Sequence, residues 1–399
     1  MTAIKNFFIK LNNSGAKNIS LFTKWSVLQI ILACGALFII LLKLLFGLEL
    51  VTNLSDEWPW GLWVAFDVGI LIATAAAGFT LAAIVYVFQI EKFKPLVRPA
   101  ILIGTLFYTI AALGIFLDLG RSFLIVHPLW KWQHESIMFE VGWCVMCYLT
   151  VLYLEFSHNI FERFKMKFAN KIHHFLFLPF VFAGICFSFL HQSSLGALFL
   201  VAPQQHPLWH GPEMGFLFLI SAMALGLAVL TIFSVITAKS WKMTLRMDLL
   251  PKIGLIAAFI MVGYLLLRGY DYWHTGNLKA FEFDNFGIVF LIEVGIGMIL
   301  PAILLFIPKI RKSLPGLLTC CALIVIGVGI NRFMVLIVSH ADWRHAAYFP
   351  CATELLFTVG LIAGVMFVYR LVAKYLPLYA EHYYGIEGAT PEKHPEVVY

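Results

Sequence analysis

Three side chains frame the segment between residues 118 and 140: Asp118, Arg121 and Glu140. Each lies in, or at the edge of, a long apolar run. Carboxylates are costly in hydrocarbon, and those found there usually line a polar pocket or a proton route. Asp118 and Arg121 stand three apart, the spacing that lets two side chains pair on one helical face. Glu140 has no cation near it in sequence, and an unpaired buried carboxylate suits proton exchange near neutral pH. Tyr108 lies within the apolar run that ends at Asp118, so its hydroxyl needs a partner inside the protein. Further along, His191-Gln192-Ser193-Ser194 places four polar side chains in a row where another apolar run ends. Asp67 stands near the start of an earlier run.

The elements that must hold these groups are transmembrane helices. The chain has 399 residues, of which 61% are hydrophobic and 13% charged, against about 25% charged in a soluble domain. About 20 apolar residues are needed to cross the bilayer core. Ten runs meet that need, at roughly 25–47, 63–89, 100–118, 136–157, 174–192, 213–237, 252–269, 286–307, 316–338 and 351–373. Lys43, near the far end of the first run, is placed to reach the membrane surface. The first 24 residues are polar and basic, without the apolar core and small-residue cleavage site of a signal peptide. The formal charge of +6 is no sign of nucleic-acid binding, because the basic residues belong to particular loops.

The distribution of Lys and Arg sets the orientation. Of 28 such residues, 21 fall in the N-terminal segment, in alternate loops and after the last run. They include Lys5, Lys10, Lys17, Lys92, Arg98, Arg163, Lys171, Arg246, Lys309 and Lys393. Positive residues stay on the cytoplasmic side, so both termini are expected inside and five loops outside. The outer loops carry Glu57-Trp-Pro59-Trp60-Gly-Leu-Trp63, His127-Pro-Leu-Trp130, His206-Pro-Leu-Trp209 and Tyr348-Phe-Pro350. They or the adjoining helix ends also hold eight of the thirteen histidines. An aromatic belt should mark both membrane faces, so a surplus on one face suggests a partner protein docked there.

An internal duplication emerges at an offset of 153 residues, where Glu140-Val-Gly142 is matched by Glu293-Val-Gly295. Asp118 and Arg121 are echoed in reverse by Arg268 and Asp271, and Asp67 by Glu213. The expected architecture is an all-α polytopic membrane protein with ten transmembrane helices. Helices 2–5 and 6–9 form two four-helix bundles, flanked by helices 1 and 10. The segments are then 1–24 (cytoplasmic), 25–60 (first helix and outer loop), 61–205 (first bundle), 206–315 with 316–350 (second bundle) and 351–399 (last helix and cytoplasmic tail). Seven cysteines lie in or beside apolar runs without metal-site spacing. No histidine pair faces across a bundle at mid-span, which argues against a transmembrane haem. No glycine loop or nucleophile elbow is present.

In these segments the sequence resembles the NrfD/PsrC family of quinone-interacting membrane subunits, most closely the hydrogenase-associated HybB type. The resemblance is carried by Pro59-Trp-Gly-Leu-Trp-Val-Ala-Phe-Asp67, Pro95-Leu-Val-Arg-Pro99, Asp118-Leu-Gly-Arg121, Phe139-Glu140, His191-Gln-Ser-Ser-Leu-Gly196, His206-Pro-Leu-Trp209, Ile292-Glu293 and Tyr348-Phe-Pro350. It implies a protein of the bacterial inner membrane with no haem or metal of its own. It also implies a menaquinone or ubiquinone site near the periplasmic face, beside a ferredoxin-like iron–sulfur subunit that links it to a nickel–iron hydrogenase. In that reading His191 and Tyr108 hydrogen-bond the quinone, with Gln192 and Asp67 nearby, while Glu140, Asp118 and Arg121 handle protons. Relatives also run in the opposite direction, as quinol-oxidising anchors of polysulfide or tetrathionate reductases. A proton or ion transporter without quinone chemistry is the competing reading. The shortage of charge in the inner half counts against it, since an ion path must cross the whole membrane.

Overall fold

The computed structural model describes residues 19–56, 58, 60–200, 205–339 and 348–379. Expectations attached to Lys5, Lys10, Lys17, Glu57, Pro59 and Lys393 fall outside these residues. Among the described residues ten helices are long and apolar enough to cross a membrane. They are α1 (Lys24–Phe46), α2 (Val64–Val87), α3 (Glu91–Asp118), α4 (Ile137–Arg163), α5 (Lys167–Leu198), α6 (Met214–Trp241), α7 (Leu250–Thr275), α8 (Asn285–Phe306), α9 (Leu314–Leu336) and α10 (Ala352–Tyr375). The chain is a multi-pass membrane protein, all-helical over the described residues.

The helices match the ten apolar runs but several extend further at the ends expected to face the cytoplasm. α3 begins at Glu91, α4 continues to Arg163 and α5 starts at Lys167. These turns carry charge, so they lengthen the helix without lengthening the apolar span. Local signals set several starts. Ser136 caps α4 by accepting from the Phe139 amide, and Ser313 caps α9 through Gly316.

Two helices depart from regular α geometry in a way that hydrophobic period does not reveal. α2 is π-helical over Val64–Leu71 and Ala83–Val87, and α8 is π-helical over Ile292–Ile299. Such widened turns are rare and frequent at functional sites. Here they contain Asp67 and Glu293.

Neighbour relations build two rings of four. In the first, α2 packs on α3 and α5, and α4 lies between α3 and α5. In the second, α6 packs on α7 and α9, and α8 lies between α7 and α9. The rings meet through α2 against α6, α5 against α6 and α2 against α9. Exchanging the two bundles preserves this set of contacts, as a duplicated unit requires. α1 lies along α10, and α10 touches α3.

Small residues allow the central contact. α2 presents Ala73, Ala75, Ala76 and Ala77, all buried. Gly226 of α6 sits on the Ala76–Ala77 backbone, where a Cβ would collide. Without a hydrophobic force between helices in lipid, such close backbone approach is a main source of association.

Candidate functional site

In the half of the first bundle expected to face outward, polar groups are buried without partners. Asp67 is fully buried, and neither carboxyl oxygen has a hydrogen bond. Its space is made by Gly114 of α3, where an added Cβ would stand 2.5 Å from Asp67 Oδ2. His191 of α5 is equally buried; its ring lies beside the Val141 backbone, and neither nitrogen completes a well-formed hydrogen bond. Tyr108 packs edge-on against His191, with ring centroids 5.6 Å apart, and against Tyr148 of α4 at 4.8 Å. The Tyr108 hydroxyl is also buried and unpartnered, while that of Tyr148 lies beside Ser188. Buried polar atoms normally find a partner, so this concentration of exceptions requires an explanation.

The remaining expected site residues sit differently. Gln192 donates to the Ile72 carbonyl at 3.0 Å, just below the π-helical turn of α2. Its Oε1 has no partner. One end of this amide is thus structural, and the other is free to accept a hydrogen bond.

Glu140 corrects the expectation of a buried, lone acid. It occupies the first turn of α4, is exposed, and accepts from Ser194 Oγ at 2.5 Å. The physical reason is its position four residues past the Ser136 cap, at the outer end rather than within the bundle.

The expected Asp118–Arg121 pair is not formed. α3 ends at Asp118, and Leu119 turns to extended backbone (φ −65°, ψ 125°), so the three-residue helical spacing is lost. Arg121 is exposed. The cation beside Asp118 is instead Lys43 of α1. Lys43 does not reach for the membrane surface. It is 4% exposed, and its ammonium donates to the Leu119 carbonyl at 2.9 Å and to Ser122 Oγ. The sequence signal for this role is a lysine within an otherwise apolar helix, where a charge needs a partner.

In the second bundle the central acid is paired, although Asp271 Oδ1 and Arg332 Nε have no partner. Glu293 is fully buried and forms an ion pair with Arg268. It also accepts from Asn331 Nδ2 at 2.9 Å and Trp209 Nε1 at 2.6 Å. Arg268 donates to Tyr264 and Tyr272, each at 2.8 Å. Arg332 donates to Asn331 Oδ1 at 2.8 Å, and its guanidinium lies 3.6 Å from the centroid of Phe218. The expected Arg268–Asp271 echo is therefore corrected, because Glu293 takes the guanidinium. Trp209, Asn331 and Arg332 complete a network that spacing alone does not reveal. Glu354 likewise has a fixed place. It accepts from Tyr348 at 2.6 Å and from the Cys351 and Asn53 amides, tying the outer loop to the start of α10.

Comparison with known proteins adds family membership. A model of the family described as polysulphide reductase, NrfD, matches residues 50–341. A probable Ni/Fe-hydrogenase 2 b-type cytochrome subunit of Escherichia coli K12 is 30% identical over 352 residues, 85% of this chain and 88% of the relative. The menaquinone reductase integral membrane subunit of Nitratidesulfovibrio vulgaris is 27% identical over 371 residues, 83% and 86% of the two chains. The Hdr-like menaquinol oxidoreductase integral membrane subunit of Archaeoglobus fulgidus is 23% identical over 360 residues, 83% and 88%.

The first of these names raises the question of a haem. Among the described residues, neither the pair His158 and His173 nor His191 has the arrangement of haem axial ligands. His158 and His173 stack with centroids 5.0 Å apart and planes 25° apart, too close for a macrocycle between them. His191 faces the edge of Tyr108, not another histidine. The family model spans most of the length, and the relatives cover the same helices, so the chain belongs to the NrfD/PsrC family of integral membrane subunits.

Proposed function

We propose that this chain is the quinone-reactive subunit of a respiratory oxidoreductase complex in the bacterial inner membrane, with its termini in the cytoplasm. Its site is the outer half of the first bundle. The observation that carries this reading is the group of unpartnered buried atoms on Asp67, His191, Tyr108 and Gln192. A quinone headgroup offers carbonyl oxygens to donors and, once reduced, hydroxyls to acceptors. His191 and Tyr108 supply a donor to a carbonyl oxygen. Asp67 exchanges the proton, and Asp118 beside Lys43 continues the polar path to the outer end.

In the reaction, two electrons arrive from an iron–sulfur partner at the periplasmic face, two protons are taken up, and the two carbonyl oxygens become hydroxyls. The hydrogenase relative supports hydrogen as the source and a ferredoxin-like iron–sulfur subunit as the link. The menaquinone reductase relative supports a naphthoquinone acceptor. The menaquinol oxidoreductase relative favours a second reading, in which the same residues oxidise quinol and pass its electrons outward.

Substitution tests the site in the complex isolated with its native partners. His191→Ala should lower quinone-linked turnover about 100-fold, in the range of a lost acid–base group. Electron transfer from the partner to a soluble viologen dye should be unchanged. Equal quinone turnover in variant and wild type would overturn the assignment.

A further inference from the structure

We propose that a prenyl-chain quinone enters the first bundle sideways between α3 and α4 and leaves its isoprenoid tail in that seam. The proposal rests on the quinone reading above and adds the route and the tail site. A membrane quinone must reach a buried headgroup pocket from lipid, so one side of the four-helix ring has to admit it.

The four sides are not alike. α2 packs closely on α3, and α4 on α5, while the remaining edges of α2 and α5 are covered by α6. Contact between α3 and α4 is much sparser than in those two pairs, and unlike the equally sparse α2–α5 side it is not covered by α6. Its cross-ties also have a distinct distribution. At the inner end Arg98 and Glu162 form an ion pair at 2.8 Å. Higher up, Thr109 Oγ1 and Tyr153 OH share a hydrogen bond of 2.9 Å. Above Thr109, no side-chain hydrogen bond between α3 and α4 occurs among the described residues. That open length runs to the end of α3 at Asp118, about 14 Å at 1.5 Å per residue. A short 3-10 helix, Ser122–Leu129, roofs it, with Pro128 resting over Gly142 of α4.

The unpartnered Tyr108 hydroxyl belongs to this window. Its ring meets Tyr148 of α4, and the thiols of Cys144 and Cys147 are among its electrostatic neighbours. Two small side chains near Tyr108 are half-buried: Ala112, one turn above it, and Cys147. An apolar opening that leads to unpartnered polar atoms suits a ligand with a polar head and a hydrocarbon tail. The lipid side supplies that occupant as a prenylquinone, whose head takes the buried donors while its tail stays between the helices.

Two measurements on the intact complex test the route. The first compares a long-tailed menaquinone in proteoliposomes with tail-less 2,3-dimethyl-1,4-naphthoquinone. Cys147→Phe and Ala112→Phe should each raise KM for the long-tailed substrate about tenfold or more and leave KM for the tail-less one within about twofold. Unchanged KM for both substrates in an assembled variant overturns the route. An equal rise for both places the added bulk in the headgroup pocket, so the route fails while the quinone reading stands. If the wild-type complex reduces neither substrate, the quinone reading itself fails. The second measurement needs no bulky variant. Alkylation of Cys147 by N-ethylmaleimide, followed by peptide mass spectrometry, should slow severalfold with the long-tailed quinone and not with the tail-less one. Equal labelling rates under all conditions count against a tail in the seam.

Discussion

At the scale of single residues, the first bundle divides its acids by environment. Asp67 is sealed among apolar neighbours with no partner, whereas Glu140 stands at a helix start with Ser194 upon it. A proton carrier to a buried substrate must be able to change charge beside it, and under the proposed reading Asp67, rather than Glu140, meets that need. Asp67→Asn should therefore cost quinone turnover about 100-fold, and Glu140→Gln less than about tenfold, measured on membranes with equal amounts of assembled complex. The reverse order would restore Glu140 as the principal acid. Lys43→Met removes the cation beside Asp118 and its hydrogen bonds to the Leu119 carbonyl and Ser122, which keep the bond from Ser122 Oγ to that carbonyl. A cost of about 1.5–3 kcal/mol is expected for losing hydrogen bonds to a charged group, read as a lower unfolding midpoint. Residue types point to Asp67, Tyr108 and His191 because polar side chains in apolar runs stand out. The pairing of Asp118 does not follow from spacing, since an i,i+3 pair exists only if the helix continues, and α3 stops there.

At the scale of elements, helix existence follows from length and apolarity, and the ten runs are legible in the sequence for that reason. The π-helical turns are not, because they change backbone pairing without changing hydrophobic period. Those turns matter to the site. One holds Asp67 opposite Gly114, and Gln192 meets the Ile72 carbonyl just below it. Gly114→Ala forces the Asp67 carboxyl to move, with an overpacking cost of about 1–3 kcal/mol. It should lower quinone turnover even where the folded complex accumulates normally. The second bundle behaves as a brace. Removing one member of its ion pair, as in Arg268→Met, leaves a buried carboxylate uncompensated at about 3–5 kcal/mol. The expected result is loss of assembled protein or a lower melting temperature. A variant of full stability with a selective quinone defect would instead move the chemistry into this bundle.

At the scale of the whole molecule, the neighbour pattern is consistent with two copies of one four-helix unit. The two rings share their neighbour pattern, yet in one the acid Asp67 has no partner, while in the other Glu293 is paired within a network that leaves only single atoms, Arg332 Nε and Asp271 Oδ1, unpartnered. The repeat of Glu140 and Glu293 discloses the shared framework but not this difference, which depends on Trp209, Asn331 and Arg332 arriving from distant parts of the chain. Orientation rests on the positive-inside distribution. A C-terminal reporter that is active only in the cytoplasm should therefore be active, and a periplasmic reporter at the same end silent. The central claim, a quinone headgroup in the first bundle, is tested most directly by a density map of the complex with bound menaquinone. The account predicts a headgroup within hydrogen-bond distance of His191 or Tyr108 and close to Asp67. A headgroup seated beside Arg268 and Tyr264 in the second bundle would contradict it.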